Sequence, residues 1–230
     1  MAFPPARSQR LEMRDLPSET AVSQTIWHRE VINSDVESTL VELRDSSTLA
    51  DFYLAGGTGL GLAMGHRRSV DLDFFHRDGF REDVLLQKLQ RLSRFSLLAK
   101  DLETLHAHIG AVKVSFLGYA YPVLFPFRVF DEVDVADPRD IACMKISAIA
   151  SRGTKRDFID LYAASRPYGL EQLLDLFRTK FARVNYSMVH VMKSLTYFED
   201  AEKDPMPDML APLTWGEVKN FFATEGPRVL

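Results

Sequence analysis

A single cysteine, Cys143, excludes an intrachain disulfide and fits a reducing compartment such as the cytoplasm. It lies between Ala142 and Met144 in a helical pattern, which reads as a small buried hydrophobe rather than a catalytic thiol. Neither charge sign dominates: 28 Lys and Arg stand against 32 Asp and Glu, a net charge of −4. A chain-wide electrostatic footprint for nucleic acid is therefore absent. Long apolar runs are also missing. The longest, Phe116 to Phe127, is about twelve residues with two prolines, too short to span a bilayer. Met1 to Arg14 has no apolar core of a signal peptide. Internal repeats and low-complexity tracts are absent too. Disulfide-framed secreted scaffolds, membrane spans and repeat arrays are thereby excluded as expectations.

What is present suits a folded chain of 230 residues with 46% hydrophobic content, one large domain or two small ones. Met1 to Ser23, rich in proline and charge, reads as a loose arm. Val31 to Arg44 carries apolar residues at helical spacing. Phe52 to Ala55 is a short apolar run, as a buried strand would be, and Gly56-Gly57 breaks it. Thr58 then reads as an N-cap for a helix over Gly59 to Met64. Val70 to Phe75 reads as a second strand and Asp83 to Arg94 as a helix. Leu105 to Leu117 reads as a hairpin turning at Gly110-Ala111. Helices are predicted over Pro138 to Ser151, Thr154 to Ala164, Leu170 to Phe181, Met188 to Phe198 and Trp215 to Phe222. Glu199 to Pro207 reads as an acidic loop. The expected fold is α/β (α+β), a small mixed β-sheet flanked by helices. The expected division is a mixed lobe over residues 1–130 and a helical lobe over residues 131–230.

The chemistry concentrates around Asp71 and Asp73. Two apart on a strand, they share a face. Two neighbouring carboxylates repel unless a cation lies between them, and their hard oxygens suit Mg²⁺ beside phosphates. The Gly56-Gly57-Thr58 turn feeds a helix N-terminus, which directs backbone N–H groups at an anion. A phosphate cradle beside a two-carboxylate metal site is the equipment for moving a nucleotide from an NTP.

Leu54-Ala55-Gly56-Gly57-Thr58 followed by Gly65-His66-Arg67-Arg68-Ser69-Val70-Asp71-Leu72-Asp73-Phe74-Phe75 resembles the AbiEii/AbiGii family of nucleotidyltransferase toxins, within the DNA polymerase β-like nucleotidyltransferase superfamily. A later block matches as well: Asp140-Ile141-Ala142-Cys143-Met144-Lys145, then Arg152-Gly153-Thr154-Lys155-Arg156-Asp157-Phe158-Ile159-Asp160-Leu161. The resemblance covers about Phe52 to Asp200. It implies a nucleotidyltransferase core, an NTP substrate, and an RNA acceptor such as tRNA. It also implies a toxin's role with a cognate antitoxin as partner, and no membrane.

The resemblance further implies a third carboxylate on a neighbouring strand, yet that position holds Ser115, a weak neutral ligand. Asp71 and Asp73 are then expected to hold one Mg²⁺ through the NTP phosphates. In the family pattern Lys145 reaches the triphosphate; a solvated lysine is the plainer alternative. Lys145 and Arg152, seven apart, share a helix face, as do Asp157 and Asp160, three apart. Asp157 is read as a base toward the acceptor hydroxyl, as an orienter of Lys145 or Arg152, or as a structural ion pair. Asp160 is read as structural support. Arg67 is expected to orient Asp71 and Asp73 or to meet phosphate, with Ser69 beside it. His106, on the hairpin's polar face, reads as solvated. Phe74, Phe75, Phe116, Tyr119 and Tyr121 read as core before they read as base-stacking surfaces. Catalytic weights therefore fall on Asp71, Asp73, Lys145 and Asp157. Nucleotide contacts are expected from Gly56, Gly57, Thr58, Arg67, Ser69, Lys145 and Arg152. A second class of function stays open, a nucleotidyltransferase fold that binds NTP or a protein partner without turnover.

Overall fold

The computed structural model describes residues 26–229; the expectations for the N-terminal arm and for a signal peptide lie outside them. A seven-stranded mixed sheet is built from β1 (Tyr53–Leu54), β2 (Leu72–His76), β3 (Phe95–Asp101), β4 (Thr104–Ile109), β5 (Val112–Gly118), β6 (Arg128–Phe130) and β7 (Val133–Val135). Their spatial order is β3-β4-β5-β2-β1-β7-β6. β2 runs parallel to β5 and β1 parallel to β7, while the remaining pairs are antiparallel. The helices are α1 (Ser34–Asp45), α2 (Gly56–Met64), α3 (Glu82–Leu89), α4 (Pro138–Ser151), α5 (Lys155–Tyr168), α6 (Leu170–Lys180), α7 (Met188–Ser194), α8 (Glu199–Glu202) and α9 (Trp215–Glu225).

Local chemistry accounts for most boundaries. Gly110, at φ +61°, takes the left-handed turn that alternating β4 and β5 require. The hairpin register is Ile109 on Val112, Ala107 on Val114 and Leu105 on Phe116, as the alternation predicts. α4 starts at Pro138 because Asp137 caps it, accepting from the Arg139 N–H. α5 starts behind Thr154, whose hydroxyl accepts from the Asp157 N–H. α9 carries a reciprocal capping box between Thr214 and Glu217.

Two expectations change, and three strands appear that the sequence pattern does not announce. Thr58 does not cap α2. The helix begins three residues earlier than expected, at Gly56 behind Ala55, where Gly56 takes the positive φ of +62° that lets the chain turn out of β1. The acidic stretch after Phe198 opens with the short helix α8 rather than a loop. β3 was not foreseen, because nearly all its side chains face solvent and no apolar period marks it. β6 and β7 are three residues each, too short for a periodic signal.

One apolar cluster packs α1 and α3 on the sheet through Leu40, Leu43, Leu72, Phe74, Phe116 and Val135. A second fills the helical half around Phe158, Leu173, Phe177 and Phe222. A small third cluster, with Tyr53, Phe75, Ala136 and Ile141, joins the sheet to α4. Phe74 and Phe116 stack at 5.5 Å and are fully buried, so they are core rather than base-stacking surfaces. No helix among the described residues is long and apolar enough to cross a membrane.

Candidate active site

The sheet, the start of α2 and the α4–α5 corner meet at one polar cleft of about 210 Å³. Gly57, Ser69, Asp71, Asp73, Lys145 and Asp157 line it, together with Arg67, Lys113, Arg152, Thr154 and Arg156. Residues from positions 57 to 157 thus converge, including both halves of the motif.

α2 enters the cleft by its N-terminus, where the first N–H groups have no intrahelical partners. Glycine is demanded there by space as well as by φ. A Cβ on Gly56 would lie 2.6 Å from Asp73 Oδ2, and one on Gly57 2.4 Å from the Arg67 guanidinium. Thr58 is 1% exposed. Its hydroxyl bonds the Asp71 carbonyl and shares a 2.8 Å hydrogen bond with Ser69 Oγ. Thr58 and Ser69 therefore brace the segment that carries Asp71.

Asp73 lies on β2 beside Ser115 on β5, and Ser115 lies beside His106 on β4. Paired residues on neighbouring strands share a face, so Ser115 occupies the place next to Asp73 where a third carboxylate was sought. Among the described residues, no group of three His, Cys, Asp or Glu side chains is arranged to hold a metal ion. Lys113, two residues before Ser115 on the same face, was not singled out from the sequence.

Behind the cleft lies a buried charge cluster centred on Asp160, which is fully buried. Arg67 donates to it through Nε at 2.7 Å and through a terminal nitrogen at 2.8 Å. Lys145 Nζ lies 2.7 Å from Oδ2, which Arg67 also bonds, and His66 Nε2 approaches Oδ1 to 2.8 Å. The Arg67 fork is thus taken up by Asp160 rather than by Asp71 and Asp73, while Arg67 still lines the cleft where phosphate contact is expected. Burial alone would raise the Asp160 carboxyl, but Lys145, Arg67 and the His66 hydrogen bond drive it well below the usual range. Burial likewise works against the Lys145 ammonium, yet Asp160 and Asp157 outweigh it and hold its pKa above the ordinary lysine value. Arg67 follows the same logic with Asp160.

Asp157 accepts from Lys145 at 2.9 Å, from Thr154 Oγ1 at 2.7 Å and from Arg152 Nε at 3.4 Å. Burial raises its pKa, but Lys145 and the Thr154 hydrogen bond lower it below the carboxylate norm. A carboxylate so held is a weak base and a firm anchor for Lys145. Arg152 is largely exposed. Arg156, also exposed, reaches to 3.7 Å from Asp71 Oδ2.

Two wider clefts flank this centre. One, of about 520 Å³, extends past Ser115 and His106 to Phe75, Tyr119 and Met144. The other, of about 610 Å³, lies between Arg68, Val70 and Arg156 on one side and Asp204–Asp208 on the other.

A glycine-started helix aimed at the strand carboxylate Asp73 and at Asp71, which stands one residue before β2 rather than within the expected strand, backed by lysine, defines the nucleotidyltransferase class of fold. The profile of the family described as "Nucleotidyl transferase AbiEii toxin, Type IV TA system" matches residues 38–227, and the chain belongs to that family. It is 40% identical over 178 residues to "Uncharacterized protein aq_aa25" of Aquifex aeolicus (strain VF5), covering 75% of this chain and 84% of the relative. Among solved structures it is similar to the nucleotidyltransferase toxin MenT4 of Mycobacterium tuberculosis H37Rv, at 16% identity and TM-score 0.49. That match covers 86% of this chain and 89% of MenT4. It is also similar in fold to ANT(2'')-Ia in complex with adenylyl-2''-tobramycin, at 13% identity and TM-score 0.50, covering 66% of this chain and all of that one.

Proposed function

We propose that this protein is a Mg²⁺-dependent nucleotidyltransferase that moves a nucleotide from an NTP to an acceptor hydroxyl on RNA such as tRNA. In this reading it acts in the cytoplasm as the toxin of a toxin–antitoxin pair and is restrained by a protein antitoxin. The observation that carries the reading is the pair Asp71 and Asp73 at the N-terminus of α2, in a cleft ringed by Lys113, Lys145, Arg152 and Arg156.

The residues fit a divalent cation. Their donors are hard carboxylate oxygens, Asp71 is 39% exposed, and its ion-pair partner among the described residues, Arg156, is loosely placed. Two carboxylates do not complete a coordination shell, so the fit is to a cation shared with phosphate oxygens. A bound Mg²⁺ would neutralise phosphate charge at the reacting phosphorus. The chain's own groups do the rest. The α2 N-terminus and Gly57 cradle the phosphates. Lys145, fixed by Asp157 and Asp160, presents its ammonium to them. The acceptor oxygen bonds the α-phosphorus, and the bond to the β-phosphate oxygen breaks. Pyrophosphate leaves with that electron pair, and the acceptor proton passes to water.

The test is incubation of purified protein with each α-phosphate-labelled NTP, Mg²⁺ and total tRNA. Label should enter RNA with wild type and not with Asp73→Asn. Ser115 favours one other reading, an NTP-binding protein without turnover. Calorimetric NTP binding with no label transfer to RNA or protein would select it.

A further inference from the structure

The cations around the cleft divide into two sets. Arg67 and Lys145 are buried and locked on Asp160 and Asp157. Arg156 is different. Its side chain is 59% exposed, and among the described residues its ionic partner is Asp71 alone. The separation of 3.7 Å makes this a charge contact without a hydrogen bond. Arg156 also lines both the 210 Å³ cleft and the 610 Å³ cleft, so it stands at the seam between them. Its backbone is fixed in the first turn of α5, capped by Thr154, so the guanidinium swings from a rigid base.

We propose that Arg156 neutralises Asp71 in the free protein and, once Asp71 engages a divalent cation, turns to hold the pyrophosphate half of the bound NTP. This rests on the nucleotidyltransferase reading above. Asp71 cannot pair closely with a dication and keep a guanidinium as well, because the two cations repel. A released Arg156 faces the seam, where the planar fork matches a phosphate's two oxygens. The pyrophosphate that leaves after transfer carries more charge than the NTP's bridging group did, and a guanidinium at the seam steadies it. The adjoining cleft, also lined by Arg67 and Arg68, offers the route out.

The test uses wild type, Arg156→Gln and Arg156→Lys, with thermal melts confirming the fold. Calorimetry with Mg²⁺–pyrophosphate should show about tenfold weaker binding by Arg156→Gln and partial recovery by Arg156→Lys. Free Mn²⁺, followed by its EPR signal without phosphate present, should bind Arg156→Gln roughly twofold to fivefold more tightly than wild type, because a competing cation has gone. A merely structural arginine would not raise metal affinity while lowering pyrophosphate affinity. Equal Mg²⁺–pyrophosphate binding by wild type and Arg156→Gln, or unchanged or weaker Mn²⁺ binding, overturns the proposal and leaves the nucleotidyltransferase reading standing. Wild type that binds neither Mg²⁺–pyrophosphate nor any Mg²⁺–NTP overturns both.

Discussion

Asp160→Asn should be among the most damaging single substitutions in this protein, although it is close to isosteric. Asp160 is fully buried and takes both hydrogen bonds of the Arg67 fork, one contact from Lys145 and one from His66. An asparagine keeps the volume and removes the charge. Its amide NH₂ must then face a guanidinium or an ammonium. Lys145 retains Asp157, so the charge left uncompensated is chiefly that of Arg67, which is 3% exposed. Breaking a buried pair from one side costs roughly 3–5 kcal/mol. In a chain of this size that lowers Tm by roughly 6–20 °C. Scanning calorimetry at neutral pH measures it, with denaturant titration as a check on reversibility. Arg67→Met added to Asp160→Asn should restore part of the loss, because it removes the stranded charge. A fall of less than about 2 °C for Asp160→Asn would refute the reasoning. So would strict additivity of the two substitutions.

The same cluster sets a pH window. Asp160 and Asp157 have depressed carboxyl pKa values, so the stability they contribute is present above the unfolded value near 4 and lost as pH falls through the folded values. Lys145 is raised, so its contribution is present below the unfolded value near 10.4 and lost as pH climbs through its folded value. Wild-type Tm from this source should be flat between those limits and fall outside both. Asp160→Asn should flatten the acid limb.

Asp71→Asn and Asp73→Asn should abolish Mg²⁺-dependent NTP binding in calorimetry yet shift stability by no more than about 0.5 kcal/mol, since neither carboxylate is locked in the core; a large loss of Tm would mean that the pair is structural. Gly56→Ala places a methyl against Asp73 in a left-handed backbone, so it should lower Tm by a few degrees and cut Mg²⁺–NTP affinity at least tenfold. Unchanged affinity would remove Gly56 from the site. Ser115→Asp should raise turnover several-fold in the labelled-NTP assay by restoring an anionic oxygen beside Asp73; an unchanged rate would mean that the position takes no part.

Legibility followed how local each signal was. The β4–β5 register was readable to the residue because Gly110 and strict alternation specify it together. The α4 start was readable from Asp137 and Pro138. Thr58 misled because the rule favouring threonine at a cap ignores what Gly56 can do two residues earlier. Asp157 and Asp160 were placed on one helix face, but spacing does not reveal that Arg67, Lys145 and His66 converge there from two other segments. Lys113 was hidden because an exposed basic residue on a strand reads as solvated, while Arg156 stands inside the motif block Arg152 to Leu161 and only the fold brings it to Asp71 across 85 positions.

The two sets of charge explain how a site with Ser115 in place of an acid can remain suited to phosphoryl chemistry. Such transfer depends on positioning and on neutralising phosphate charge more than on a strong base. Lys145 and Thr154 hold the Asp157 carboxyl below the usual range, and the same interactions fix the Lys145 ammonium where it enters the cleft. Buried charge thus supplies position, because moving Lys145 means breaking its contacts with two carboxylates in a dry interior. Mobile charge supplies response, because Arg152 and Arg156 are exposed and weakly tied. Replacing a third carboxylate by Ser115 removes one negative charge from the face that Lys113 shares. That loss weakens the hold on a second cation and lowers the repulsion an incoming phosphate meets. The arrangement therefore suits holding phosphate charge more than holding a second cation.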